Sequence, residues 1–378
     1  MRCRETRGLS SLSAALSWRI LLPDTDAEVH MKPVLKRGIT SYQIFWPVVG
    51  LALLLLFNFI FTKDFFLLEV KDGHLYGSLI DILNRASVLM LLTIGMTLVI
   101  ASGGIDISVG SVMAIASSTI AVLLSGQMID VNGHQQFVSA ISLGSALLLT
   151  LGFTLILGLW NGVLVSYFGL QAIVATLILL VAGRGIAQLI TSGNVITIYH
   201  ERFFYIGGGF LFGFPVSIFV VSAVFLLTMM LVKKTPFGLF LETVGINRVA
   251  ARFAGINVPL ITLICYSISG LCAGLAGILM TSEVRSSDPN TMGNFIELDA
   301  ILAFAIAGNS MAGGKFSLGA SMVGALIIQT IRTTIYSRGV APEIMLVVNA
   351  VIVIVICSLQ SERVKTAIAK LQLAQGKA

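Results

Sequence analysis

The sequence predicts an all-α, polytopic membrane protein of about ten transmembrane helices, with two related halves and broken or re-entrant segments. Three observations predict it. Hydrophobic residues make up 56% of the 378-residue chain and charged residues 11%, where a soluble domain carries about 25% charged. Mean hydropathy is +0.96. Between Asp130 and Arg184 there is no Asp, Glu, Lys or Arg. So few charges cannot cover a water-exposed surface, and disorder needs the opposite composition. Soluble globular and disordered classes are both excluded.

A helix needs about 20 largely apolar residues to cross a bilayer. Segments close to that length run 44–61, 86–101, 109–126, 137–159, 172–190, 213–232, 260–280, 300–312, 318–335 and 344–361. Helices are the only spanning form open to them, because no barrel-like alternation is present. The eighth is short, and the second, third, eighth and ninth abut Gly-Gly motifs, which marks them as broken or re-entrant. Basic residues fix the orientation. With both termini inside, the inner segments hold Lys32, Lys36, Arg37, Lys233, Lys234, Arg248, Arg252, Lys315, Arg363, Lys365, Lys370 and Lys377. The outer ones hold Lys63, Lys71, Arg85, Arg202, Arg285 and Arg338. The net charge of +6 is thereby assigned to the cytoplasmic surface, and no nucleic-acid partner is expected.

The expected organisation is a cytoplasmic tail at 1–40, a transmembrane domain at 41–362 and a second tail at 363–378. Residues 1–30 lack the apolar core of a signal peptide. Met31, followed by Lys32, Pro33, Lys36 and Arg37 and then at once by a span, reads as the native start, with 1–30 a tail or a start-site artefact. Cys3, Cys265, Cys272 and Cys357 form no C-x-x-C pair and read as small apolar fillers, so no metal site is expected.

Gly103-Gly104-Ile105-Asp106-Ile107-Ser108-Val109-Gly110 has an echo in Gly313-Gly314-Lys315-Phe316-Ser317-Leu318-Gly319. Both read Gly-Gly, a short gap, Ser-x-Gly, then small and apolar residues, as duplicated transporters do where broken helices line the path. Asp106 is the sharpest single candidate, because an acid among apolar spans is costly. It either caps the third helix through the free N–H groups there or touches substrate, with Ser108 sharing the work. Gly103, Gly104 and Gly110 allow the turn and close helix approach. Thr93, Thr97, Asn161, Gln171, Thr176, Arg184, Gln188, Asn309, Gln329 and Arg332 are the other polar groups within or beside the spans. They either line a path or join helices by hydrogen bonds. Arg184 lies about 18 Å along its helix from Ala172, where it snorkels or meets an acidic residue of a docking partner.

The inner loop 233–259 predicts one short helix from Glu242 to Phe253, with Val244, Val249 and Phe253 on its apolar side, stopped by Gly255 and Pro259. Such a helix suits docking against a partner protein. No catalytic motif accompanies it: neither G-x-S-x-G nor H-E-x-x-H occurs. The nearest approach to a phosphate-binding loop puts Gly314 where its lysine belongs and Phe316 after Lys315. The chain reads as a non-enzyme whose motive energy comes from another subunit or an ion gradient.

These motifs together resemble the sugar-type ABC importer permeases, the ribose permease family. The stretch 103–110 resembles that family's GGIDLSVG signature, with Ile107 in place of the usual Leu. The loop T-P-F-G…E-x-V-G-I-N-x-x-A-A-R-x-A-G-I-N-V at 235–258 resembles its cytoplasmic coupling segment. A-T-L…G-R-G at 175–185 and the turn at Gly313 and Gly314 follow in the same order, with Asn309 where Gly is commoner. The resemblance covers about residues 40–362. Phrases such as N-G-V-L-V at 161–165 and E-L-D-A-I-L-A at 297–303 are similar to the branch that carries galactofuranose. What it implies is import of a monosaccharide, galactofuranose or a similar sugar, across the bacterial inner membrane. The implied partners are a cytoplasmic ABC ATPase, a periplasmic sugar-binding protein and a second permease subunit, identical or not. ATP and Mg²⁺ would be bound by the ATPase, and no cofactor by this chain. The implied pathway residues are Asp106, Ser108, Thr93, Thr97, Asn161, Gln171, Asn309 and Gln329, with coupling through Glu242, Gly245, Asn247, Ala250, Ala251 and Gly255. An ion-gradient carrier, which would need further membrane acids, and a scaffold subunit are the rival classes.

Overall fold

A computed structural model of the chain describes residues 44–337, apart from 63–64, 72–73, 132–133 and 140, together with scattered positions from 339 to 354. The tails at 1–40 and 363–378 lie outside the described residues, and of the expected tenth span at 344–361 only isolated positions are described. In chain order the elements are α1 (Phe45–Phe61), β1 (Glu69–Lys71), β2 (His74–Tyr76), α2 (Ser78–Ala101), α3 (Val109–Leu124), β3 (Gly126–Val131), β4 (His134–Ser139), α4 (Leu143–Ser166) and α5 (Ala172–Ile190). Then follow β5 (Ile196–Thr197), α6 (Glu201–Gly208), β6 (Phe210–Leu211), β7 (Phe214–Pro215), α7 (Val216–Lys234), α8 (Phe237–Ile246), α9 (Arg248–Phe253), α10 (Val258–Val284), β8 (Ser286–Ser287), α11 (Ile296–Ile306) and α12 (Leu318–Ser337).

Six of these helices, α2, α4, α5, α7, α10 and α12, are long and apolar enough to cross a membrane. Large apolar side chains on their outer faces stay uncovered: Leu148, Ile156, Val181, Leu189 and Leu227 are all more than half exposed. Water would penalise such surfaces, whereas lipid does not. The protein is a multi-pass membrane protein. Buried residues run almost without interruption along α2 from Ala86 to Ala101. This helix is the central strut, packed against α7, α10, α11 and α12.

The centre is held by small residues. Gly158 and Gly162 of α4 meet Leu263, Tyr266 and Gly270 of α10, while Gly270 and Gly274 meet Thr154. A Cβ on Gly158 would stand 2.5 Å from the Tyr266 carbonyl oxygen, and one on Gly270 would stand 2.6 Å from that of Thr154. Without a hydrophobic force between helices in lipid, this close approach supplies the packing energy.

Short antiparallel strand pairs gather at one end of the bundle. They are β1–β2, β3–β4, β6–β7 and the distant pair β5–β8, which ties the chain after α5 to the chain after α10. The Leu75 N–H donates to the Gly213 carbonyl at 3.2 Å, and His74 stacks on Phe210. At the opposite end α8 and α9 lie beside the C-terminus of α2.

Three sequence expectations are corrected here. The segment expected to span from 137 enters β4 first, and its helix begins at Leu143, after Ser142 caps it by accepting the Ser145 N–H at 3.3 Å. The segment expected at 300–312 is the 11-residue α11 at 296–306, about 17 Å long and too short to cross. The helix expected at 242–253 is two helices that begin already at Phe237. Extended backbone at Asn247 (φ −156°) breaks it, and the Asn247 Oδ1 caps α9 by accepting the Val249 and Ala250 N–H groups, each at 3.0 Å. An apolar periodicity cannot see that break, because a capping side chain offers the backbone an alternative bond.

The glycine seam yields a prediction. Gly158→Val and Gly270→Val each force α4 away from α10 and destabilise the fold by about 1–3 kcal/mol or more, the usual cost of overpacking. Thermal unfolding in detergent measures it. Gly144→Val and Gly152→Val, where no atom lies within 4 Å of an added Cβ, leave the midpoint unchanged.

Candidate functional site

After α2 ends at Ala101, the chain turns back into the protein at 102–108 before α3 begins. Gly103 makes the reversal with φ +80°, a region that costs other residues strain. Gly104 lets the chain pass Tyr266, whose hydroxyl would be 2.7 Å from a Cβ there. That hydroxyl donates to the Ile105 carbonyl at 3.4 Å, and the Ile107 N–H donates to Thr176 Oγ1 at 3.3 Å.

Asp106 is 2% exposed. Its Oδ1 accepts from the Ser108 N–H at 3.1 Å and from Ser108 Oγ at 2.6 Å, and its Oδ2 accepts from Ser269 Oγ at 2.8 Å. Asn161 Nδ2 of α4 donates to Ser108 Oγ at 2.8 Å, while Asn161 Oδ1 is buried without a partner. Ser269 lies about 17 Å along α10 from Val258 by the 1.5 Å rise, so this cluster is well inside the bundle. The carboxylate holds the residue at the helix boundary, Ser108, and not the N–H groups of the first turn of α3; it closes the turn.

The second Gly-Gly turn repeats the device. Asn309 is 1% exposed, and its Oδ1 accepts from the Ser317 N–H at 2.9 Å while its Nδ2 donates to Ser321 Oγ at 2.9 Å. Ser108 and Ser317 thus stand at matching positions before α3 and α12. Each gives its N–H to a buried side-chain oxygen. Gly313 (φ +92°) and Gly314 (φ +88°) make the turn, and the Gly314 N–H donates to the Ala101 carbonyl at 3.0 Å.

Both turns meet the elbow formed by α8 and α9. Arg248 Nη2 donates to the Ser102 carbonyl at 3.1 Å. Gly245 lies so close that a Cβ would collide with the Ala101 carbonyl and with the Gly314 backbone. Ala251 is fully buried and Val244 with it, whereas Ile246, Val249 and Phe253 are 68%, 63% and 89% exposed. The apolar side expected of this loop is therefore split: Val244 faces the bundle, while Val249 and Phe253 face away. Glu242 is half-buried and Ala250 exposed. Gly255 (φ +81°) ends α9 in open space.

The remaining sequence candidates fall in different places. Thr93 and Thr97 are buried and donate to the carbonyls of Leu89 and Thr93 in their own helix, at 2.7 and 2.6 Å. Gln171 is exposed at the start of α5. Arg184 bonds the Met292 carbonyl and lies within Coulombic reach of Glu297, so it is engaged within the chain. Gln188 donates to Asn290 Oδ1 at 2.9 Å. The loop carrying Met292 is shaped by Asp288, which accepts from Thr291 Oγ1 at 2.6 Å and from the Asn290 N–H at 2.9 Å. Those bonds, the Thr291 hydroxyl foremost, hold its carboxyl below the usual carboxylate range. Gln329 is buried beside a cavity with Arg85, Glu283 and Arg332, and Arg332 pairs with Asp299. Among the described residues no group of His, Cys, Asp or Glu could hold a metal ion. Ser269 is the partner that sequence reading missed: it looks like any other small residue in an apolar run, and only the crossing of α10 brings it to Asp106.

The cluster yields a prediction. Asp106→Ala strands the Ser108 N–H and the Ser108 and Ser269 hydroxyls, each worth about 1–3 kcal/mol when buried unpaired, and lowers the melting point in detergent. Ser269→Ala removes one bond and costs less, about 1 kcal/mol.

Residues 78–357 match the family model described as branched-chain amino acid transport system / permease component. The chain is 45% identical over 323 residues to the galactofuranose transporter permease protein of Escherichia coli (strain K12), covering 84% of this chain and 91% of the relative. It is 38% identical to the fructose import permease protein of Bifidobacterium longum (strain NCC 2705), covering 87% and 90%. It is 34% identical to the ribose import permease protein of Escherichia coli (strain K12), covering 74% and 84%. No solved structure matches it. A broken-helix bundle with these matches over most of its length belongs to the branched-chain amino acid transport system / permease component family.

Proposed function

We propose that this chain is the transmembrane subunit of an ATP-driven importer that carries a monosaccharide, galactofuranose or a similar sugar, across the bacterial inner membrane. It is a conduit and not an enzyme. The names of its relatives support the sugar class, since those compared are permeases for galactofuranose, fructose and ribose. In this reading the chain enters the membrane ten times in two related halves, with α11 a broken segment that passes only part of the way, both termini are cytoplasmic and the strand pairs face outward. The matched serines before α3 and α12 support the two halves. The positive residues of the α8–α9 end, Lys233, Lys234, Arg248 and Arg252, support its placement inside.

One observation carries the mechanism. The elbow exposes Ile246, Val249 and Phe253 at its surface while its other side is fastened to both glycine turns, at Ser102 and, through Gly245, against Gly314. Exposed apolar side chains on a charged membrane face suit a protein partner, here the ATPase, which supplies ATP and Mg²⁺. Movement of the elbow then reaches both broken segments at once, because each turn is bonded or packed directly against it. A second permease subunit and a binding protein complete the assembly. Selection of the sugar rests mainly with the binding protein, so the path needs only weak, neutral hydrogen-bonding groups.

The test is uptake in vesicles that hold the permease with its ATPase and binding protein. ATP-dependent uptake survives an uncoupler; its loss at constant ATP would favour a gradient-driven carrier. Phe253→Glu lowers uptake by about tenfold or more, as for loss of an anchor worth at least 1.4 kcal/mol. Because Phe253 is exposed, the melting point of the permease alone is unaffected.

A further inference from the structure

At the strand end of the bundle, α2, α10, α11 and α12 enclose a cavity of about 390 Å³ lined by Arg85, Glu283, Gln329, Arg332, Tyr336 and the apolar floor around Met280. Its size falls within the range of small-molecule sites, about 300–1,000 Å³. It lies apart from the Asp106 cluster, since Glu283 is near the end of α10, about 21 Å beyond Ser269 by the helix rise. Gln329 is 6% exposed and lines this cavity. A side-chain amide offers two donors and an acceptor to whatever fills the space beside it. A largely buried amide beside a cavity of this size suits a ligand rich in hydrogen-bonding groups.

The charges narrow the class of ligand. Arg332 is paired with Asp299, and Arg85 lies within Coulombic reach of Glu283. The cavity therefore carries donors and acceptors whose charges already offset one another. An anion or a zwitterion would have to displace these partners. A neutral polyol adds to them, because each hydroxyl both donates and accepts. Tyr336, 48% exposed, adds a ring and a phenol to the lining, and the apolar residues around Met280 suit the C–H face of a sugar ring.

We propose that this cavity is a monosaccharide subsite at the outer mouth of the transport path, with the Gln329 amide as its central hydrogen-bonding group and Arg85, Glu283 and Tyr336 around it. The proposal rests on the sugar-importer reading and adds a place and a set of residues to it. Of these residues the sequence marks Gln329 and Arg332 as polar groups within the spans, whereas Arg85 reads as an outer basic residue.

The experiment is saturation-transfer NMR on the full-length permease in lipid nanodiscs, with methyl β-D-galactofuranoside as the probe and L-leucine and D-galacturonate as comparisons. The expected result is transfer to the neutral sugar at millimolar concentration, weakened about three- to tenfold by Gln329→Leu, by Arg85→Met and by Tyr336→Ala. Tyr336 is 48% exposed, so its substitution tests the site even where a buried variant fails to fold. No transfer to the sugar, or transfer unchanged in all three variants, overturns the subsite. Preference for leucine or galacturonate overturns its ligand class. Vesicle uptake separates the two readings. Wild-type uptake with an unchanged KM in Gln329→Leu and Tyr336→Ala sinks the subsite and leaves the importer standing, whereas absence of ATP-driven uptake in the wild type sinks the importer itself.

Discussion

A chain in lipid must satisfy its backbone polar groups from within, and the two places where this one breaks its helices show how that is done. Continuous helices need no help, because every N–H finds a carbonyl one turn back. The reversals at 102–108 and before α12 lose those partners in the interior. Asp106 and Asn309 replace them with side-chain oxygens, each taking the N–H of the serine that precedes the next helix. An acid and an amide are costly to bury, and each is kept because it is fully used: Asp106 accepts three bonds and Asn309 makes two strong ones. The same residues that permit the breaks also hold them in one shape.

Small side chains make the breaks compatible with a packed bundle. The turns at Gly103 and Gly313 touch: a Cβ on Gly313 would lie 3.0 Å from the Gly103 backbone. Gly110 lies against Gly293, and Gly158 against Gly270. Where helices approach this closely, dispersion replaces the hydrophobic effect that lipid cannot provide. The two turns form a junction where α2, α3 and α12 meet. The α8–α9 elbow is attached at this junction through Arg248 and Gly245.

Much of this was legible from residues alone. Sparse charge and long apolar runs required a membrane helix bundle, and the Gly-Gly motifs marked the breaks at the right positions. The elbow was legible as a short helical segment, but its division at Asn247 was not: apolar spacing reports faces, whereas a cap is a choice between two bonds made by one side chain. The polar candidates divided for a similar reason. Thr93 and Thr97 share a helix face in the sequence, yet each hydroxyl is taken by a carbonyl of its own helix. Arg184 looked free to meet a partner, but the loop after α10 folds down to meet it first.

What the sequence by itself determined was the solvent and the helices, since transfer of apolar residues from water to lipid depends on composition and length and hardly on arrangement. It also determined where the helices could break, because only glycine accepts the positive φ values found at those turns. The tertiary structure decided which distant groups meet: Ser269 with Asp106, Asn161 with Ser108, Arg248 with Ser102, and Gln329 with an open cavity. Those pairings depend on the crossing of α10 over α2 and α4, which many weak contacts between small residues set jointly and no local pattern encodes.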